Sequence, residues 1–103
     1  MGEFVKVTKI SDIPSGSVKG FIVNGNKIAL GNVGGKFYAF EDKCSHQGQP
    51  LSNGILIGNI VMCLFHGAQF DVTTGQPLTM MGKTPIRTYE VRISGDEIEV
   101  KAD

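Results

Sequence analysis

Turn signals at short intervals decide more than anything else what this chain can become. Asn24-Gly25, Gly34-Gly35, Gly58-Asn59 and Ser94-Gly95-Asp96 cut it into short pieces, and Asn-Gly is the strongest of all short hairpin signals. Fourteen glycines recur at turn spacing, and no window carries a sustained apolar stripe of 3.6-residue period. The pieces between turns read as strands: residues 4–10, 18–23, 27–30, 37–40, 55–57, 60–62, 88–93 and 97–100. The expectation is an all-β fold, a small antiparallel barrel or sandwich, with residues 1–103 forming a single domain. No repeat, low-complexity stretch or linker divides the chain.

Charge and hydropathy exclude several kinds of partner. Ten basic residues balance ten acidic ones, so no net field draws nucleic acid or anionic lipid. Residues 60–65 form the longest apolar run, far short of a membrane span. The start, Met1-Gly2-Glu3-Phe4-Val5-Lys6, lacks the basic and apolar regions of a signal peptide, and Lys6 stands where a myristoylation site needs Ser or Thr. These features predict a cytoplasmic protein without membrane or nucleic-acid partners.

The two cysteines and two histidines are paired: Cys44-Ser45-His46 and, after sixteen further residues, Cys63-Leu64-Phe65-His66. A reducing compartment argues against a structural disulfide. Two thiolates and two neutral imidazoles make a four-ligand set for a soft or borderline metal, and loops turn quickly enough to aim each pair at one centre. Gly48, Gly54 and Gly67 relieve crowding where backbone approaches the bound group. Both pairs fall in loops, residues 45–50 and 64–69, joined by the 55–62 hairpin and able to lie side by side at one end of the fold. A tetrahedral zinc site from the same ligands is the main alternative, although zinc modules usually pair Cys with Cys and His with His. Catalysis by the chain alone is not expected: no histidine remains for a Ser-His-acid arrangement, and no glycine-rich phosphate loop precedes a helix.

The order Cys-x-His…Cys-x-x-His, with Gly48, Leu51, Gly54, Gly67, Phe70-Asp71 and Thr74-Gly75 around it, resembles the Rieske iron–sulfur proteins over essentially the whole chain. Among these it is most similar to the free-standing ferredoxins of ring-hydroxylating dioxygenase systems. The resemblance implies one [2Fe–2S] cluster, with Cys44 and Cys63 on one iron and His46 and His66 on the other. It further implies a monomeric electron carrier that takes one electron from a flavin-containing ferredoxin reductase and gives it to a terminal oxygenase. A subunit fixed within a larger oxidoreductase is the alternative within the family. Neutral imidazole donates less negative charge than thiolate, so such centres span about −150 to +300 mV, against about −400 mV for all-cysteine clusters. Reduction adds negative charge and favours imidazole protonation, so the potential should fall as pH rises.

Departures from the family pattern refine these expectations. Respiratory-chain relatives carry two more cysteines, bridged between the ligand loops, where this chain has Gln49 and Phe65. They also carry a Ser and a Tyr where it has Ala68 and Phe70. Hydroxyl donors at those places would stabilise the reduced state, so their absence predicts the low part of the two-histidine range. Leu64 replaces a proline common in the family. Phe37, Tyr38 and Phe40 read as core packing rather than a base-stacking platform. Residues 77–85, with Leu78, Met80 and Met81, are equally a third loop covering the cluster or an irregular connection. Asp71 with Thr73, Thr74 and Gly75 reads as turn chemistry, and Glu41, Asp42 and Lys43 as solvated charges.

Overall fold

The computed structural model describes residues 3–44, 49–64, 67–79 and 84–102. Among these described residues, nine strands form two sheets: β1 (Phe4–Lys9), β2 (Val18–Val23), β3 (Asn26–Val33), β4 (Lys36–Glu41), β5 (Ile55–Ile57), β6 (Ile60–Met62), β7 (Gln69–Asp71), β8 (Thr88–Ser94) and β9 (Glu97–Lys101). The larger sheet runs β1-β9-β8-β4-β3-β2, all antiparallel, and approach of β1 to β2 brings it close to a closed barrel. The smaller sheet is β5-β6-β7. Two short 3-10 turns, Ile10–Asp12 and Leu51–Asn53, complete the described elements.

The hairpins form where the turn chemistry places them. Asn24 and Gly25 both take positive φ, 52° and 81°, between the paired residues Val23 and Asn26. That is the requirement of the two-residue turn whose twist suits flanking strands. Gly34 and Gly35 do the same between Val33 and Lys36, with φ of 60° and 99°.

Side chains alternate across β3 and β4 and fill two cores. Ile28, Leu30, Phe37 and Ala39 pack with Ile13, Val23, Ile98, Val100 and Ala102 in the barrel core. Ala29 and Phe40, pointing to the opposite face, pack with Leu51, Leu56, Val61, Phe70, Val72 and Ile86 under the smaller sheet. Phe37 and Phe40 are therefore core residues, one in each core, with Tyr38 packed against the cluster that holds Phe40. Every buried side-chain nitrogen and oxygen among the described residues has a hydrogen-bond partner.

One strand escapes the sequence reading. Residues 69–71 were expected to end one loop and begin a turn, but they pair with β6 as β7, Phe70 opposite Val61. Gln-Phe-Asp alternates polar and apolar, but with a single apolar residue it is too short a pattern to register as a strand.

Candidate metal centre

Cys44 follows the exit of β4 and Cys63 follows β6, and both are 1% exposed. They belong to one core cluster, together with Leu51, Ala68 and Phe70, so the fold brings the two distant cysteines into the same packing. Neither is part of a disulfide. Their backbones are held alike. The Cys44 N–H donates to the Gln49 carbonyl and the Cys63 N–H to the Ala68 carbonyl, each at 2.8 Å. Each bond draws together the chain five residues apart, on either side of a segment that contains a histidine.

His46 and His66, the other two expected ligands, lie outside the described residues, as do Gly48, Phe65, Met80 and Met81. A cavity of about 250 Å³ is lined by Gln49, Pro50 and Asn53 from the first loop and by Cys63 and Leu64 from the second. Leu64 is 61% exposed, so the missing proline leaves an apolar side chain in solvent beside Cys63.

The second loop is a hairpin connection. Met62 pairs with Gln69, and the Cys63–Ala68 bond extends that ladder by one step. Gly67 supports the reversal with φ of 71°. On the far edge of β7, the Leu78 N–H donates to the Gln69 carbonyl (2.8 Å), and the Gln69 N–H donates to Thr79 Oγ1 (3.2 Å). The described part of the 77–85 segment therefore runs beside the second cysteine loop, the position a covering loop requires. Its base is closed where the Ile86 N–H donates to the Gly75 carbonyl at 2.8 Å. A β-carbon on Gly75 would run into that Ile86 carbonyl.

Asp71 organises this base as expected of turn chemistry. Its carboxylate accepts from the Thr73 N–H (2.8 Å), the Thr73 hydroxyl (2.6 Å) and Asn59 Nδ2 (3.1 Å). The Thr73 hydroxyl above all holds the Asp71 carboxyl below its ordinary pKa. Asp42 departs from expectation. It is a buried carboxylate, 9% exposed, not a solvated charge. Glu41 is half-buried and accepts at Oε1 from the Arg87 N–H (3.2 Å), while Lys43 is exposed.

Two buried thiols in an apolar pocket suit an iron–sulfur group. Thiolates are soft ligands, and a buried thiolate needs a bound cation to offset its desolvation. The profile of the Rieske [2Fe-2S] domain matches residues 3–90. The chain belongs to the Rieske [2Fe–2S] family. Rieske relatives resemble it over nearly their full lengths. The ferredoxin component of the naphthalene 1,2-dioxygenase/salicylate 5-hydroxylase systems of Ralstonia sp is 38% identical, with 91% of this chain and 90% of the relative covered. Among solved structures, a chain from the complex of reduced oxygenase and oxidized ferredoxin in carbazole 1,9a-dioxygenase is 35% identical, with a TM-score of 0.89 over 95% of this chain and 92% of that one. The ferredoxin of carbazole 1,9a-dioxygenase from Nocardioides aromaticivorans IC177 superposes with a TM-score of 0.93 at 29% identity, covering 97% and 98%. These Rieske relatives are electron-transfer components rather than catalysts, and the family carries a [2Fe–2S] cluster. No helix of the described residues is long and apolar enough to cross a membrane.

Proposed function

We propose that this Rieske chain is a one-electron carrier of a dioxygenase-type system, taking an electron from a flavin reductase and delivering it to a terminal oxygenase. Cys44 and Cys63 would hold one iron of the [2Fe–2S] cluster, and His46 and His66 the other. The observation that carries this reading is the convergence of two buried cysteines, one from each similarly closed loop, on a single apolar core. The bound cluster would supply reversible one-electron storage, and everything else falls to the protein. The loop backbones fix the cysteines, while Ala68 and Phe70 keep water and hydroxyl donors from the thiolate side. The exposed Leu64 and Leu78 offer apolar surface beside the loops for brief contact with redox partners. A carrier that serves two partners in turn works as a free monomer, a single domain over residues 1–103, in the cytoplasm where reduced nicotinamide sustains a flavin reductase.

Anaerobic purification tests the proposal directly. The expected material is brown, contains two irons and two sulfides per chain, and bleaches with dithionite. Mössbauer spectra should resolve two inequivalent irons, and reduced protein should be reoxidised on mixing with a dioxygenase oxygenase component. Colourless protein with one zinc per chain would overturn the assignment, as would a cluster with two equivalent irons.

A further inference from the structure

Asp42 has no part in the electron-transfer reading, yet it is buried two residues before Cys44. Its Oδ1 accepts the Ser52 N–H at 2.7 Å and its Oδ2 accepts the Ser52 hydroxyl at 2.7 Å. Its own N–H donates to the Lys27 carbonyl at 3.0 Å. A buried carboxylate is unfavourable unless charge-assisted hydrogen bonds replace its water, and here both oxygens are engaged by one residue. Ser52 lies in the 3-10 turn just beyond Pro50. The Asp42–Ser52 contact therefore brackets the whole segment that carries Cys44 and His46, outside the Cys44–Gln49 bond.

The space for this contact is made by a third stretch of chain. A β-carbon on Gly20, in β2, would lie 2.5 Å from Asp42 Oδ2 and 2.8 Å from Ser52 Oγ. Gly20 is not among the residues with positive φ, so its lack of a side chain serves room rather than backbone conformation. The two cysteine loops also differ in what holds their ends. Cys63 sits in a hairpin, where the β6–β7 ladder sets the separation. Cys44 follows β4, the next described element is the 3-10 turn Leu51–Asn53, and among the described residues no strand pair joins the two.

We propose that Asp42 and Ser52 are positioning residues, a side-chain clamp that sets the first cysteine–histidine arm for cluster binding as the ladder sets the second, with Gly20 leaving the room. This rests on the assignment of Cys44 and His46 as ligands. The test compares cluster-loaded wild type with Asp42→Ala, Asp42→Asn, Ser52→Ala and Gly20→Ala. Asn32→Ala is the control, since the Asn32 amide holds the Ile13 carbonyl (2.8 Å) in the barrel core and the Gly35 N–H (2.7 Å). Two readouts are taken on each: the rate of iron loss to a chelator, from visible absorbance, and the EPR line shape after dithionite reduction.

Asp42→Ala and Gly20→Ala should lose iron about tenfold faster than wild type and alter the EPR line shape. Ser52→Ala should fall between, because its N–H still meets Asp42. Asp42→Asn should restore a near wild-type rate, its amide oxygen accepting from the Ser52 N–H and its amide nitrogen donating to the hydroxyl. Asn32→Ala should lower Tm without changing either readout. Wild-type behaviour of Asp42→Ala would overturn the proposal, and so would equally fast iron loss from Asn32→Ala. If Asp42→Ala cannot be isolated folded, Ser52→Ala and Gly20→Ala decide in the same two assays. Wild type that binds no [2Fe–2S] cluster would instead overturn the ligand assignment, and the clamp with it.

Discussion

Ala68 and Phe70 are fully buried in the core that holds Cys44 and Cys63, and neither can donate a hydrogen bond from its side chain. Hydroxyls there would favour the more negative, reduced state. Ala68→Ser and Phe70→Tyr should therefore each raise the reduction potential. A differential stabilisation of about 1.4 kcal/mol corresponds to about 59 mV for one electron. Protein-film voltammetry at fixed pH reads the shift, and a fall in potential would contradict the argument. Both positions were legible in the sequence because each lies at a fixed offset from a ligand pair. Asp42 was not. Its burial depends on Gly20 and Ser52, 22 and 10 positions away, and nothing adjacent in the chain marks a carboxylate that will be enclosed by such distant residues.

The turn that follows β7 is held by one charged group. Because the Asp71 pKa is lowered on folding, its ionised form adds stability above the ordinary aspartate pKa of about 3.9, and that contribution is lost as pH falls through the lowered value. Asp71→Asn keeps the shape and removes the charge. The variant should melt below wild type at pH 5, and the gap should close as the pH is taken below the folded-state pKa. Thermal melts from pH 5 downward check this, and a gap that widens toward acid would refute it. At this scale the sequence was uneven in what it disclosed. Asn24-Gly25 and Gly34-Gly35 announce their hairpins because positive φ is costly for most residues and cheap for these. β7 has no such marker. It exists because β6 presents a free edge and Phe70 has a core to enter.

Across the molecule, β3 and β4 separate two cores, and both cysteines belong to only one of them. Structural metal ligation is folding energy for the part of the chain that supplies the ligands. Removing iron by chelation should therefore loosen β5, β6 and β7 while β1, β8 and β9 stay closed. Hydrogen exchange on the iron-free protein should show protection lost first at residues 55–71. Uniform loss over both sheets would argue instead for a single cooperative unit.

That partition has a practical side. β3 and β4 are lined with apolar side chains front and back, so if the smaller sheet drifts away the barrel survives with one oily wall turned outward. Samples bleached by air should then go cloudy before they melt, and storage life would be governed by how fast bared walls find each other, hence by dilution as much as by cold.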